Sequence, residues 1–162
     1  MATAKKVPQL TLEVRRIFSA PREKVFAAWA DPEKVKLWMF KDLHAHVNIF
    51  HKNDIHPGGQ YLVETRDTKT DQVYWGQGTY LEVTPHEKIS YTWNWTLGSP
   101  AGPNFHPDSP DTTVTVEFLE RGKTTEVRLT HAVFCSQKDF DQHNQGWELC
   151  LNALERYLKT GN

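Results

Sequence analysis

One histidine on a predicted strand could bind a ligand or move protons. His131 falls in phase with Val127, Leu129 and Val133, which places its imidazole on the inner face of that strand. A histidine there could contact a ligand or act as a proton shuttle. The alternative is a core histidine that hydrogen-bonds a neighbour, because buried polar groups are normally paired. The sequence leaves both interpretations open.

The first predicted strand contains an arginine that could bind an anionic group. Arg16 shares its phase with Leu12, Val14 and Phe18, so its guanidinium is predicted to point inward. An inward arginine could hold a carboxylate or phosphate of a ligand. The alternative is that Arg16 pairs with an internal acid such as Glu64.

Aromatic residues could form an apolar binding pocket. The chain contains six tryptophans, and aromatic side chains are common in small-molecule pockets. The same side chains could equally form the core. We take as candidate ligand-binding residues Arg16, Trp75, Tyr91, Trp93, His131 and Trp147.

Motifs for metal binding, cofactor binding or catalysis are incomplete. His44 and His46 share a strand face opposite to the apolar residues, and zinc needs three or four converging ligands. The stretch "GQGTYL" at 76–81 lacks the third glycine and the following helix of a dinucleotide site, and "HEKIS" at 86–90 lacks the second histidine of a zinc-protease helix. We therefore predict no metal site and no cofactor, and we favour a binding protein over an enzyme.

Length and composition restrict the class of protein. The 162 residues are 38% hydrophobic and 24% charged, which predicts one globular domain over 1–162. A net charge of -1 argues against nucleic-acid binding. No apolar run has the length of a signal peptide or a membrane span, so we expect a soluble cytoplasmic protein. Cys135 and Cys150 are interpreted as reduced packing residues.

The elements that must position these residues begin with one strand and two short helices. Apolar and polar residues alternate over 10–14, as in a half-buried strand. Proline-containing start signals then predict helices at about 21–30 and 32–39.

The middle of the chain, to residue 134, is predicted to form six further strands. The cleanest alternation is that of Ile89, Tyr91, Trp93 and Trp95. Hairpin connections imply an antiparallel sheet. The alternating apolar residues of the other strands are Leu43, Ala45, Val47, Ile49, Tyr61, Val63, Trp75, Leu81, Val83, Val114, Val116, Phe118, Val127, Leu129 and Val133.

A long helix is predicted to follow these strands. Apolar residues recur at three- and four-residue steps from Phe140 to Leu158. Ser136 resembles an N-terminal cap, and Gly161 resembles a C-terminal stop. Gly146 costs such a helix about 1 kcal/mol relative to alanine, so it needs a packing or functional reason.

The loop at residues 97–111 is long and rich in proline and glycine. The sequence allows two interpretations of it, a disordered bridge or a lid.

Five stretches of the chain resemble a known family. They are "RIFSAPREKVFAAWADPEKVKLW", "NDIHPGGQY", "GQGTYLEVTPHEKISYTW", "TVTVEFLERGKTTEVRLTH" and "GWELCLNALERYL". In this order, they resemble the domain named after the C-terminal half of the activator of heat shock protein 90 ATPase. That family belongs to the START and Bet v 1-like (SRPBCC) superfamily.

The resemblance implies an α+β helix-grip fold, in which a curved antiparallel sheet of about seven strands wraps around the long C-terminal helix. A cavity between the sheet and this helix would bind a small hydrophobic or amphipathic molecule. Gly146 would then lie over the cavity, or alternatively make room for a bulky neighbour. Other functions in the superfamily give two alternatives, a co-chaperone-like interaction module and a polyketide cyclase or dehydratase. Fold alone does not decide among them.

Overall fold

The computed structural model describes residues 10–39, 46–98, 111–134 and 136–161. Its elements are β1 (Leu10–Phe18), α1 (Arg22–Ala30), α2 (Pro32–Val35), β2 (His46–Asn53), β3 (Gln60–Asp67), β4 (Val73–Thr84), β5 (Lys88–Gly98), β6 (Thr112–Arg121), β7 (Thr124–Phe134) and α3 (Gln137–Thr160). This order confirms the predicted strand, two short helices, six strands and long helix. Among the described residues, none of these helices is long and apolar enough to cross a membrane.

The seven strands form one antiparallel sheet in the order β1-β7-β6-β5-β4-β3-β2. Strands β2 to β7 pair with their neighbours in sequence, and β1 pairs with β7. The sheet is curved, and α3 buries Cys150, Leu151, Ala153 and Leu154. The predicted helix-grip α+β fold is therefore confirmed.

The ends of α3 are formed by the residues that the sequence indicates. The Ser136 hydroxyl accepts a hydrogen bond from the Asp139 amide at 3.1 Å. Gly161 adopts a φ of 79°, which favours glycine, and its amide donates to the Tyr157 carbonyl at 2.7 Å. Both end signals of the helix are confirmed.

The second short helix is shorter than predicted. It ends at Val35, although the sequence predicted a helix to residue 39. Trp38 is fully buried, its Nε1 donates to the Ala28 carbonyl at 2.9 Å, and its ring lies 4.8 Å from that of Trp29. Packing against α1 thus holds the chain after α2.

The face of β2 that turns inward differs from the prediction. Val47 and Ile49 are 50% and 47% exposed, whereas Asn48 and Phe50 are half-buried. Asn48 can occupy an inward position because its side-chain oxygen accepts a hydrogen bond from the Thr65 hydroxyl at 3.0 Å. The apolar alternation of this edge strand therefore predicted the wrong face.

Bulges explain two further differences in strand phase. Val133 has a φ of 79° and is 37% exposed, and Phe134 is buried instead. In β4 the register shifts between Tyr80 and Glu82, which leaves Leu81 52% exposed. An extra residue in one strand inverts the phase of the residues that follow it.

Two glycines of β4 allow close packing against β5. A Cβ on Gly76 would lie 2.5 Å from the Trp93 ring, and a Cβ on Gly78 would lie 1.9 Å from the Thr92 carbonyl oxygen. These glycines therefore leave room for neighbouring atoms.

We expect Gly78→Ala to lower the free energy of unfolding by about 3 kcal/mol, because β4 and β5 must separate to admit the methyl group. Urea unfolding followed by circular dichroism measures this change.

Gly122→Ala is the matched control. Gly122 has a φ of 65° and open space around a Cβ, so the substitution should cost only about 1 kcal/mol of backbone strain. Equal losses in the two variants would contradict the packing explanation for Gly78.

Candidate functional site

A cavity of about 520 Å³ lies between α3, the segment of α1 and α2, and strands of the sheet. Most of its described lining is apolar or aromatic. The described lining residues are Trp29, Val35, Met39, Phe50, Asn53, Tyr61, Val63, Thr65, Asp67, Tyr74, Trp75, Gly76, Tyr80, Tyr91, Trp93, Trp95, His131, Gln142, His143, Gly146, Trp147 and Cys150.

Two pairs of nearly parallel rings form much of the aromatic wall. Trp93 stacks on Tyr61 with ring centroids 6.1 Å apart and an interplanar angle of 13°. Trp29 stacks on Trp147 at 6.3 Å and 25°. The first pair joins β5 to β3, and the second joins α1 to α3. Flat, apolar surfaces of this kind suit a planar ligand.

Three buried tyrosines line the cavity. The Tyr61 hydroxyl donates to the Thr92 carbonyl at 2.5 Å, and the Tyr80 hydroxyl donates to Asn53 Oδ1 at 2.6 Å. Burial raises the pKa values of Tyr61, Tyr80 and Tyr91 above the ordinary value of a tyrosine. The three phenols are therefore uncharged at neutral pH, and two of their protons are bound to protein acceptors.

His131 is the centre of a chain of hydrogen bonds. The Trp147 indole donates to His131 Nδ1 at 3.0 Å, and His131 Nε2 lies 2.6 Å from the Thr112 hydroxyl. Because an indole can only donate, Nδ1 is the acceptor and Nε2 carries the proton. The Thr112 hydroxyl then donates to the Trp93 carbonyl at 3.0 Å. Both nitrogens of His131 are thus engaged within the protein.

Burial, followed by the nearby His143, lowers the pKa of His131 from 6.5 to about 3. The ring is 1% exposed. These observations favour the interpretation of His131 as a hydrogen-bonded core histidine that also borders the cavity.

The hydrogen bonding of His143 differs from that of His131. Its Nδ1 lies 2.7 Å from the Asp139 carbonyl, which can only accept, so Nδ1 carries a proton and, in the neutral ring, Nε2 is the acceptor. The ring lies edge-on to His131 at 5.1 Å and packs on Phe134 at 4.8 Å. Among the described residues, none donates to Nε2 of His143.

Arg16 lies on the predicted face of β1 but does not belong to the described lining of the cavity. Its guanidinium donates to Glu148 at 2.7 Å and to Asn152 at 2.6 Å, both on α3. Arg16 thus pairs with an acid, as one of the two interpretations held, but the acid is Glu148 and not Glu64, which lies 3.2 Å from His51. Arg16 joins the edge strand to the long helix.

Trp75 borders the cavity, but its ring points to the other face of the sheet. The Cβ direction of the next residue, Gly76, meets the cavity residues Val63 and Trp93, and consecutive strand residues face opposite sides. The Trp75 ring packs on His51 at 5.2 Å. The other four candidates, Tyr91, Trp93, His131 and Trp147, lie together along the cavity.

Sequence reasoning did not select Tyr61, Trp29 or His143 as ligand-binding residues. Tyr61 alternates with Val63 in β3, and His143 lies one helical turn before Trp147, so helix and strand periodicity could have indicated both. The tautomer of His143 has no signal in the sequence.

Several expectations lie outside the described residues. His44, Cys135 and most of the 97–111 loop are among them, and only the backbone of His46 is described. Within the described part of the chain, no group of three or more His, Cys, Asp or Glu residues could hold a metal ion.

Comparisons with known proteins agree with this fold. A model of the family described as activator of Hsp90 ATPase homolog 1-like protein matches residues 19–159. The comparison with curated proteins gives no match.

Solved structures with the same fold include three from different bacteria. A protein from Rhizobium leguminosarum is 26% identical, with a TM-score of 0.75 over 97% of this chain and 99% of that one. Protein CV1439 from Chromobacterium violaceum is 23% identical, with a TM-score of 0.74 over 90% and 95%. CalU16 from Micromonospora echinospora is 20% identical, with a TM-score of 0.66 over 93% and 77%.

The lowered pKa of His131 predicts a pH-dependent stability. Between about pH 6.5 and 3 the unfolded chain binds a proton at His131 that the folded chain does not, so stability falls as the pH falls through this range. We expect the wild type to lose about 1 kcal/mol more per pH unit than His131→Gln, measured by urea unfolding from pH 7 to 4.

His56→Gln is the control, because His56 is exposed. It should show the wild-type dependence. If His131→Gln also shows it, the neutral buried histidine is not responsible for the acid sensitivity.

Proposed function

The chain belongs to the activator of Hsp90 ATPase homolog 1-like family, and from that premise we propose that its cavity binds a small hydrophobic or amphipathic molecule. The observation that carries this proposal is the aromatic-lined cavity of about 520 Å³ between sheet and helix. This volume lies within the range of small-molecule sites, which is roughly 300 to 1,000 Å³.

Three polar groups along the cavity are already hydrogen-bonded within the protein, which favours the binding of an apolar molecule. Tyr61, Tyr80 and Trp147 each donate a hydrogen bond to the protein itself. An apolar ligand can cover these groups without breaking a bond, so the apolar area removed from water remains a net gain of about 25 cal/mol per Å².

A co-chaperone-like interaction module is the second candidate. The description of the family supports it, as do Val47 and Ile49, which are exposed on the edge strand β2. An edge strand with apolar side chains can pair with an extended segment of a partner.

If the chain acts in this way, Val47→Lys should reduce binding of a heat shock protein 90 chaperone in a pull-down and leave cavity binding unchanged.

A cyclase or dehydratase would need an acid or base that faces the cavity. His131 is a poor base because both its nitrogens are engaged and its pKa is lowered by burial. An enzyme of this kind would have to use His143 or Asp67, which also line the cavity, rather than His131.

Filling the cavity should prevent binding. Thr65 lines it, and Thr65→Phe would place a ring in the space that a ligand needs. We expect the neutral probe N-phenyl-1-naphthylamine to gain fluorescence on binding to the wild type and to bind at least about tenfold more weakly to Thr65→Phe, since a displaced ring-sized contact is worth more than 1.4 kcal/mol.

Thr65→Val separates volume from hydrogen bonding, because it removes the bond to Asn48 without filling the space. Arg16→Gln tests a residue outside the described lining. Both variants should bind the probe as the wild type does. No saturable binding to the wild type, or undiminished binding to Thr65→Phe, would contradict a ligand site in this cavity.

A further inference from the structure

We infer that the cavity takes an uncharged molecule that donates a hydrogen bond, that His143 Nε2 accepts this bond, and that anions are rejected. This inference rests on the proposed function and specifies the ligand class of the same site. It concerns the end of the cavity formed by His131, His143, Gly146 and Trp147, which we call the histidine end.

The ring donors of His131, His143 and Trp147 are engaged within the protein. The Trp147 indole donates to His131 Nδ1, and His131 Nε2 donates to the Thr112 hydroxyl. The Nδ1 proton of His143 is bound to the Asp139 carbonyl. A ligand group that needs a donor from these three rings would have to break one of these bonds, which would weaken its binding.

An acceptor remains at the same end. The bond from Nδ1 to the helix backbone fixes the orientation of the His143 ring and, in the neutral imidazole, leaves Nε2 on the other side of the ring with its lone pair. Contacts with His131 and Phe134 hold the ring in place. A hydroxyl or N–H group of a ligand would supply the missing donor.

The charges around the cavity disfavour an anion. Of its described lining residues, none is a lysine or arginine, and the carboxyl group of Asp67 adds an acidic side chain. Arg16, the one cation predicted to be a ligand-binding residue, is bound to Glu148 and Asn152. An anion in this apolar space would lose its hydration without gaining a partner charge.

These features together describe a planar alcohol, phenol or N–H heterocycle rather than a fatty acid or phosphate ester. The stacked wall of Trp93 and Tyr61 suits a flat ring system. His143 Nε2, to which none of the described residues donates, would then fix the orientation of the donor group.

Three matched probes test the inference by isothermal titration calorimetry at neutral pH: 2-naphthol, 2-methoxynaphthalene and 2-naphthoate. In the wild type, 2-naphthol should bind about five- to tenfold more tightly than 2-methoxynaphthalene, as one hydrogen bond predicts. The anionic 2-naphthoate should bind at least about 100-fold more weakly than 2-naphthol. In His143→Phe, which keeps a ring against Phe134, the ratio of the two neutral probes should fall to about one.

The relative affinities of the three probes for the wild type test the inference even if His143→Phe fails to fold. His143→Leu provides a second variant. Equal binding of the two neutral probes to the wild type, tight binding of 2-naphthoate, or an unchanged ratio in a folded His143 variant would overturn the inference while leaving the proposed function intact. If none of the three probes binds, both the inference and the proposed function fail.

Discussion

The structure depends most on the hydrogen bonds that meet at His131. Through Trp147, Thr112 and the Trp93 carbonyl, this one side chain connects α3 to β7, β6 and β5. The stacking of Trp147 on Trp29 and the directional bond to His131 together restrict the rotation of the Trp147 ring. That ring is part of the cavity wall, so a buried polar group determines the shape of an apolar site.

A bulge at Val133, two residues after His131, determines which side chain packs beside this histidine. Val133 adopts a positive φ, which is costly for a β-branched residue, and the result is that Phe134 turns inward. The Phe134 ring packs on His131 at 4.6 Å and on His143 at 4.8 Å. The backbone strain is thus offset by an aromatic contact with both histidines, and regular strand geometry would have placed a smaller valine there.

The sequence predicted the features that depend on neighbouring residues. Its predictions were wrong or incomplete where contacts between distant residues determine the structure. The caps of α3 at Ser136 and Gly161 follow from the residues themselves and were confirmed. The family and the helix-grip fold were also confirmed. The inward phase of Arg16 was predicted, but its partner Glu148 lies more than a hundred residues away on a helix face that the strand pattern does not describe. Bulges such as that at Val133 invert strand phase without any signal in the alternation of apolar residues.

Gly146 lies in the part of α3 that lines the cavity, before the part that packs against the sheet. From Cys150 onward α3 buries a continuous apolar stripe against the sheet, whereas Gly146 lines the cavity next to Trp147. Gly146 places no side chain at this lining position. The cost of about 1 kcal/mol in helix propensity thus falls on the part of α3 that lines the cavity. The packed second half of α3 can absorb that cost because its position is fixed by burial.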